Sequence, residues 1–293
     1  MRKLIITLAV LASALFSANA EEKTKTYDFG DIKSLSIGYN YQVHVTSGNS
    51  DQVKIVYDSK FDGYMDVSYS KDTHKLKISM KDNMPKNLRI GNQPRINVYL
   101  EMNDIERLDI SGAASVNFDG EYKSNELEIN LSGASKINQL NVKGKALNFD
   151  CSGASKIAIC GNFSDEVEID LSGASKLDYT GNSKDFNAEV SGASKLTLSG
   201  DYKEVDVRCS GASSVIMEGS ADSGEYECGG ASRIEAKEFV TKNLHTVLSG
   251  ASRAEVHATE KLTYSVSRSC KITYYGDAVL KNISPESNVV RGN

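Results

Sequence analysis

Leu131-Ser132-Gly133-Ala134-Ser135-Lys136-Ile137, answered twenty residues later by Cys151-Ser152-Gly153-Ala154-Ser155-Lys156-Ile157, decides the fold. The Ser-Gly-Ala-Ser string, or a close variant, centres on Gly112, Gly133, Gly153, Gly173, Gly192, Gly211, Gly230 and Gly250. Successive spacings are 21, 20, 20, 19, 19, 19 and 20 residues, so the chain is a repeat array. A ninth, degenerate copy stands at Val266-Ser267-Arg268-Ser269-Cys270-Lys271-Ile272, with Arg in place of Gly.

Each repeat is apolar at alternate positions on both sides of its glycine. Two residues before stand Ile110, Leu131, Cys151, Leu171, Val190, Cys209, Cys228 and Leu248. Four residues after stand Val116, Ile137, Ile157, Leu177, Leu196, Val215, Ile234 and Ala254. The positions between are mostly Asp, Glu, Asn, Lys and Ser. Period two about a glycine corner reads as strand, tight turn, strand; helical spacing does not fit. The pattern predicts an all-β fold: a right-handed β-helix or β-solenoid, a two-sheet superhelix with coils of about 20 residues. Equivalent residues then stack roughly 4.8 Å apart, and eight coils rise about 38 Å. Glycine supplies a turn conformation that a Cβ would penalise. Leucine-rich and calcium-binding nonapeptide repeats fail on pattern and period.

Outward from the array (106–275), the segment 27–105 is also β in character. Leu35, Ile37, Tyr39, Tyr41, Val43 and Val45 alternate with polar residues, and Val67-Ser68-Tyr69 and Leu76-Lys77-Ile78 flank a turn at 71–74. We expect this segment to begin the solenoid and cap it, because an open end invites aggregation. Residues 276–293 would close the other end. Arg2 and Lys3, an apolar run from Leu4 to Phe16, and Ala18-Asn19-Ala20 have the layout of an export signal peptide over 1–20. The expectation is therefore one exported domain over 21–293, placed in the periplasm, on the cell surface or outside the cell. No later apolar stretch is long enough to span a bilayer.

The composition excludes several classes. At 40% hydrophobic and 25% charged residues the chain is neither disordered nor a multi-pass membrane protein. Its net charge of −5 becomes −7 once Arg2 and Lys3 leave with the leader, which is no footprint for nucleic acid. The 23 Gly beside 3 Pro fit regular corners better than flexible linkers. There is no phosphate loop, nucleophile elbow or H-E-x-x-H, and no cofactor is expected. His44, His74, His245 and His257 lack ligand spacing, so no metal site is expected either.

Two outward rows carry the chemistry. Three residues before each glycine run Asp109, Asn130, Asp150, Asp170, Glu189, Arg208, Glu227 and Val247. Stacked Asp150 and Asp170 would lie roughly 5 Å apart, the separation of a retaining glycosidase pair. A solvated polar row predicts the same drift of residues, and coils varying by two residues leave no long loops to wall a cleft. Three residues after each glycine run Lys136, Lys156, Lys176 and Lys195, then Arg233 and Arg253, interrupted by Ser115 and Ser214. Such a row would suit an anionic glycan or acidic surface; equally, Lys guards exposed β faces against association. Five Cys in an exported chain raise the question of disulfides. Cys151, Cys209 and Cys228 take inward positions, where Cys acts as a small hydrophobe. Cys209 and Cys228 are near enough to pair, but parallel stacked side chains rarely offer the needed dihedral. Tyr39, Tyr41, Tyr57, Tyr64, Tyr69 and Tyr99 would form either a sugar-binding face or half-buried packing; the parity of Tyr39 and Tyr41 favours packing.

The chain resembles the auto-transporter adhesin "head GIN" domain family of Bacteroidetes-type bacteria. The stretches that carry the likeness are Phe29-Gly30-Asp31-Ile32-Lys33-Ser34-Leu35-Ser36-Ile37, Tyr41-Gln42-Val43-His44-Val45, Arg95-Ile96-Asn97-Val98-Tyr99-Leu100, the glycine-centred array and Ile272-Thr273-Tyr274-Tyr275-Gly276-Asp277. The resemblance implies a β-superhelix without catalytic residues and a role in cell adhesion, hence a carbohydrate or cell-surface partner. Oligomerisation stays open. A polysaccharide-active enzyme and a self-associating envelope element are the rival readings.

Overall fold

The computed structural model describes residues 21–50, 52–85, 88, 96–283 and 288–292; the leader expected over 1–20, and Arg95, lie outside them. The chain is a β-solenoid of about nine turns. Its body is a stack of parallel strands: β8 (Arg107–Ile110), β9 (Ser115–Asp119), β10 (Glu121–Leu131), β11 (Lys136–Cys151), β12 (Lys156–Leu171), β13 (Lys176–Thr180), β14 (Asp185–Val190), β15 (Lys195–Cys209), β16 (Ser214–Cys228), β17 (Arg233–Leu248), β18 (Arg253–Val266) and β19 (Lys271–Tyr275). Most coils are a single long strand that leaves one corner, bends at a second and returns. In one coil that bend is an open turn, which splits the wrap into β13 and β14.

The alternation read from sequence fixes which side chains point in. Along β12 the burial pattern alternates at both ends of the strand, with Ile157, Ile159, Val167, Ile169 and Leu171 inside. Both arms of every coil contribute to one core that runs from Ile32 to Ile272. Fully burying such a side chain contributes roughly 1.5–3 kcal/mol. An aromatic row threads the middle: Tyr179, Phe186, Tyr202 and Phe239, with ring centroids 5.7, 5.2 and 6.2 Å apart.

At the first corner the eight repeat glycines have φ between 67° and 75°, the left-handed region where a Cβ is strained. The parallel ladder continues straight through it: Ala154 N–H donates to the Gly133 carbonyl at 2.7 Å, and Ala174 N–H to Gly153 at 2.7 Å. The serine two residues on turns inward and is buried at Ser135, Ser155, Ser175, Ser194, Ser213, Ser232 and Ser252. Ser175 Oγ donates to the Ser172 carbonyl at 2.8 Å, closing the turn on itself.

The N-terminal segment supplies the first coils and then changes direction. Here β2 (Ser34–Ile37) lies parallel to β8, and β3 (Tyr41–Ser47) parallel to β9. The apolar alternation through Leu35 to Val45 hides a corner, because Tyr39 takes φ 74° in the place glycine holds one coil later. Ala113 N–H donates to its carbonyl at 2.8 Å. The ladders then extend through β6 (Lys75–Met80) and β7 (Ile96–Met102) and end in antiparallel strands: β5 (Met65–Ser70) on β6, and β4 (Gln52–Asp58) on β7, with β1 (Glu22–Asp28) on β4. The first strand thus starts at Glu22, ahead of the expected boundary at 27. At the other end β20 (Val279–Asn282) adds to β18 and β21 (Val289–Arg291) to β19.

Candidate functional site

The cation row is real in register. Lys136 pairs with Lys156, Lys156 with Lys176 and Lys176 with Lys195; after Ser214 come Arg233 and Arg253. The structure extends the row by one: Lys271, in the degenerate copy, sits against Arg253. At the start Ser115 follows Gln42, so the row runs on to the N-terminal coils. Lys136, Lys156, Arg233 and Arg253 are exposed, and Lys176 and Lys195 half-buried. Within this row Lys176 pairs with Asp178 at 2.8 Å and Arg233 with Glu235 at 3.1 Å. Lys136, Lys156, Lys195 and Arg253 have no carboxylate within 4 Å among the described residues. Like charges repeated at strand spacing cost free energy, because their mutual repulsion is relieved only by solvent and counter-ions.

The carboxylate row on the other arm is also in register, Asp150 against Asp170 and Asp170 against Glu189. Its start and its middle differ. Burial alone would raise Asp109, but hydrogen bonds from Arg107, Lys75 and Asn130 hold its carboxyl at about 2. Asp150 is raised by burial and by the carboxylates of Asp170 and Glu128, and Asp170 by burial and Glu189. Asp150 and Asp170 line a shallow open groove of about 280 Å³ with Asn130, Ser132, Ser152 and Ser172. Among the described residues no long loop walls it.

A second corner, which the reading of the sequence missed, lies on the far side of the coils. Gly161, Gly181, Gly200 and Gly219 stack there, and a Cβ on Gly181 would overlap the Gly161 carbonyl oxygen. The residue after each glycine caps the next coil: Asn182 N–H donates to Asn162 Oδ1 at 2.9 Å, Asp201 N–H to Asn182 Oδ1 at 2.9 Å, and Ser220 Oγ to Asp201 Oδ1 at 2.6 Å. From inside, Tyr179 and Tyr202 donate to the Gly161 and Gly181 carbonyls at 3.0 and 2.7 Å. The slim corner leaves a groove of about 340 Å³ bordered by Lys143, Cys160 and Asn162. A Gly-Asn or Gly-Asp pair every 19 or 20 residues was the available signal.

Cys151, Cys209, Cys228 and Cys270 are buried free thiols and Cys160 an exposed one. Cys209 and Cys228 are register partners, and that contact together with burial pushes the Cys209 thiol far up. Among the described residues no group of three His, Cys, Asp or Glu is placed to hold a metal ion. Tyr41 and Tyr57 are buried, and Tyr39, Tyr64 and Tyr69 half-buried. Tyr99 is exposed, with its ring stacked on His44 at 4.9 Å and the Lys54 ammonium 5.9 Å from its centroid. Among the described residues no helix is long and apolar enough to cross a membrane.

A family model described as "Putative auto-transporter adhesin, head GIN domain" matches residues 31–180 and 164–278. The chain belongs to this head GIN adhesin family. Solved structures to which the chain is similar include a "putative adhesin" from Parabacteroides distasonis, 16% identical, covering 94% of this chain and 98% of that one, at a TM-score of 0.48. A "putative adhesin" from Parabacteroides merdae is 14% identical with the same coverage and a TM-score of 0.48. A "Putative lipid binding protein" from Parabacteroides distasonis, also 14% identical with that coverage, has a TM-score of 0.49. No curated protein matches the chain.

Proposed function

We propose that this head GIN chain is a non-catalytic binding module, exported through a leader at 1–20, that adheres to a cell-surface ligand of negative charge. The row Lys136, Lys156, Lys176 and Lys195, continued by Arg233 and Arg253, is the surface that engages it. One observation carries this reading: cations are held at one strand spacing in strict register, and most have no carboxylate partner. Isolated surface ion pairs are worth little, but a rigid ladder presents several cations at once without a backbone ordering cost at binding. An anionic glycan and an acidic protein surface both satisfy this charge pattern.

The polysaccharide-active reading has the stacked Asp150 and Asp170 in its favour and a shallow groove against it, since glycoside cleavage needs a site that orients substrate and excludes water. The test replaces Lys136, Lys156, Lys176 and Lys195 together by Ser and measures binding to bacterial cells and to immobilised anionic and neutral polymers. Binding to the anionic surfaces should be lost with the melting temperature unchanged or raised, since the repulsion along the row is relieved. Undiminished binding would contradict the assignment, and sugar release from a polysaccharide panel would contradict the absence of catalysis.

A further inference from the structure

This inference rests on the cation row being the binding face, and it names that row's partner. Around every first corner the structure sets two outward residues on different arms, the third before the glycine and the third after it. Their charges correspond rung by rung. Asp150 goes with Lys156 around Gly153, Asp170 with Lys176 around Gly173, Glu189 with Lys195 around Gly192, and Glu227 with Arg233 around Gly230. Where the first row carries a cation instead, at Arg208, the second carries neutral Ser214. At the other corners one member is neutral, so no rung sets like charges together.

Nothing inside one copy uses this correspondence. No ion pair joins the two rows within 4 Å among the described residues; Lys176 turns to Asp178 and Arg233 to Glu235 instead. The carboxyls of Asp150 and Asp170 feel burial and neighbouring carboxylates, with no cation acting on them. Both rows belong to the same coils and so share one pitch, roughly 4.8 Å. A copy displaced sideways at level height therefore brings its cations against another copy's carboxylates with every charged rung in register. Lys156 and Lys195, which lack partners of their own, carry the most of this contact.

We propose that the ligand of the cation row is the carboxylate row of a second copy of this chain, so that molecules pack side by side and the adhesion is homotypic. The two surfaces differ, so the contact is heterologous, and a purely sideways displacement carries no rotation that could close a ring; it grows into an open array. Net repulsion between acidic copies is long-ranged and is screened beyond about 10 Å at about 0.1 M salt, whereas the facing pairs are closer than that.

The experiment is sedimentation velocity on the protein and two charge-reversed forms. One carries Lys156→Glu, Lys176→Glu and Lys195→Glu; the other carries Asp150→Lys, Asp170→Lys and Glu189→Lys. At about 0.1 M salt the native protein should form species larger than a monomer, and at about 1 M, where screening acts within about 3 Å, it should be monomeric. Each reversed form alone should stay monomeric at both, and an equal mixture of the two should associate again, an outcome misfolding cannot produce. Circular dichroism confirms that each is folded; if a reversed form is not, the neutral Lys→Ser and Asp→Asn, Glu→Gln sets replace it and each must lose association. A native protein that stays monomeric, or a mixture that does not associate, overturns the inference. Should the monomer instead bind polygalacturonate and the Lys→Glu form not, the row takes a polysaccharide: the adhesive row stands and its homotypic partner falls. Association unaffected by the Lys→Glu changes removes both.

Discussion

The two corners of each coil solve one problem with different chemistry. At the first, glycine takes a left-handed φ, alanine passes the ladder on, and the buried Ser135, Ser175, Ser232 and Ser252 close their turns. At the second, glycine serves close approach between coils, and an Asn or Asp on the outside caps the backbone of the next coil. The first corner recurs through eight coils, whereas the second is replaced where Phe239 meets Gly219. Both are structural: the first repeats small neutral residues from coil to coil, and the second lines up Asn162, Asn182, Asp201 and Ser220. The corners set the pitch; the faces are free to carry function.

Substitution separates the two designs, and the largest effect belongs to the second corner. Gly181→Ala should destabilise by about 4 kcal/mol or more, because its Cβ can be accommodated only by parting two coils. Chemical denaturation would read this, and a cost below that of the next variant would contradict the close-approach account. At the first corner, Gly173→Ala meets φ 73° and a Cβ 2.5 Å from the Gly153 carbonyl oxygen. The strained backbone alone costs about 1–3 kcal/mol, read in the same titration. Asn182→Ala should cost about 0.5–1.5 kcal/mol through the lost cap on Asp201, with faster amide exchange confined to the second corner. The smallest effects separate two serines of the first corner. Ser175→Ala loses a 2.8 Å hydrogen bond and should cost about 1 kcal/mol. Ser194 Oγ is buried without a hydrogen-bond partner among the described residues, so Ser194→Ala should leave the melting temperature unchanged or raise it. Equal losses at the two serines would mean that the hydroxyl does not close the turn.

Much of this was legible in the sequence because the repeat samples each position many times. Eight glycines at even spacing gave the first corner, the inward faces and both charged rows. What stayed hidden lacked that redundancy. The second-corner glycines span only four coils and sit among bulges that shift the register, as between Ile216 and Glu218. Tyr39 occupies a glycine position with a side chain whose parity reads as an unbroken strand. Lys271 joined the cation row only once pairing with Arg253 fixed the register of the degenerate copy. The partnering of Asp109 by Lys75 and Arg107 depends on contacts between segments far apart in the chain, which no periodicity encodes.

The central claim is that the corners hold the solenoid while the cation row binds. The most direct measurement is of melting temperature and adhesion to cells, taken together, on the variant with Lys136, Lys156, Lys176 and Lys195 replaced by Ser. The account predicts a melting temperature unchanged or raised, and lost adhesion. Adhesion kept at its native level, or a collapse in melting temperature or solubility that makes the row a structural guard, would contradict it.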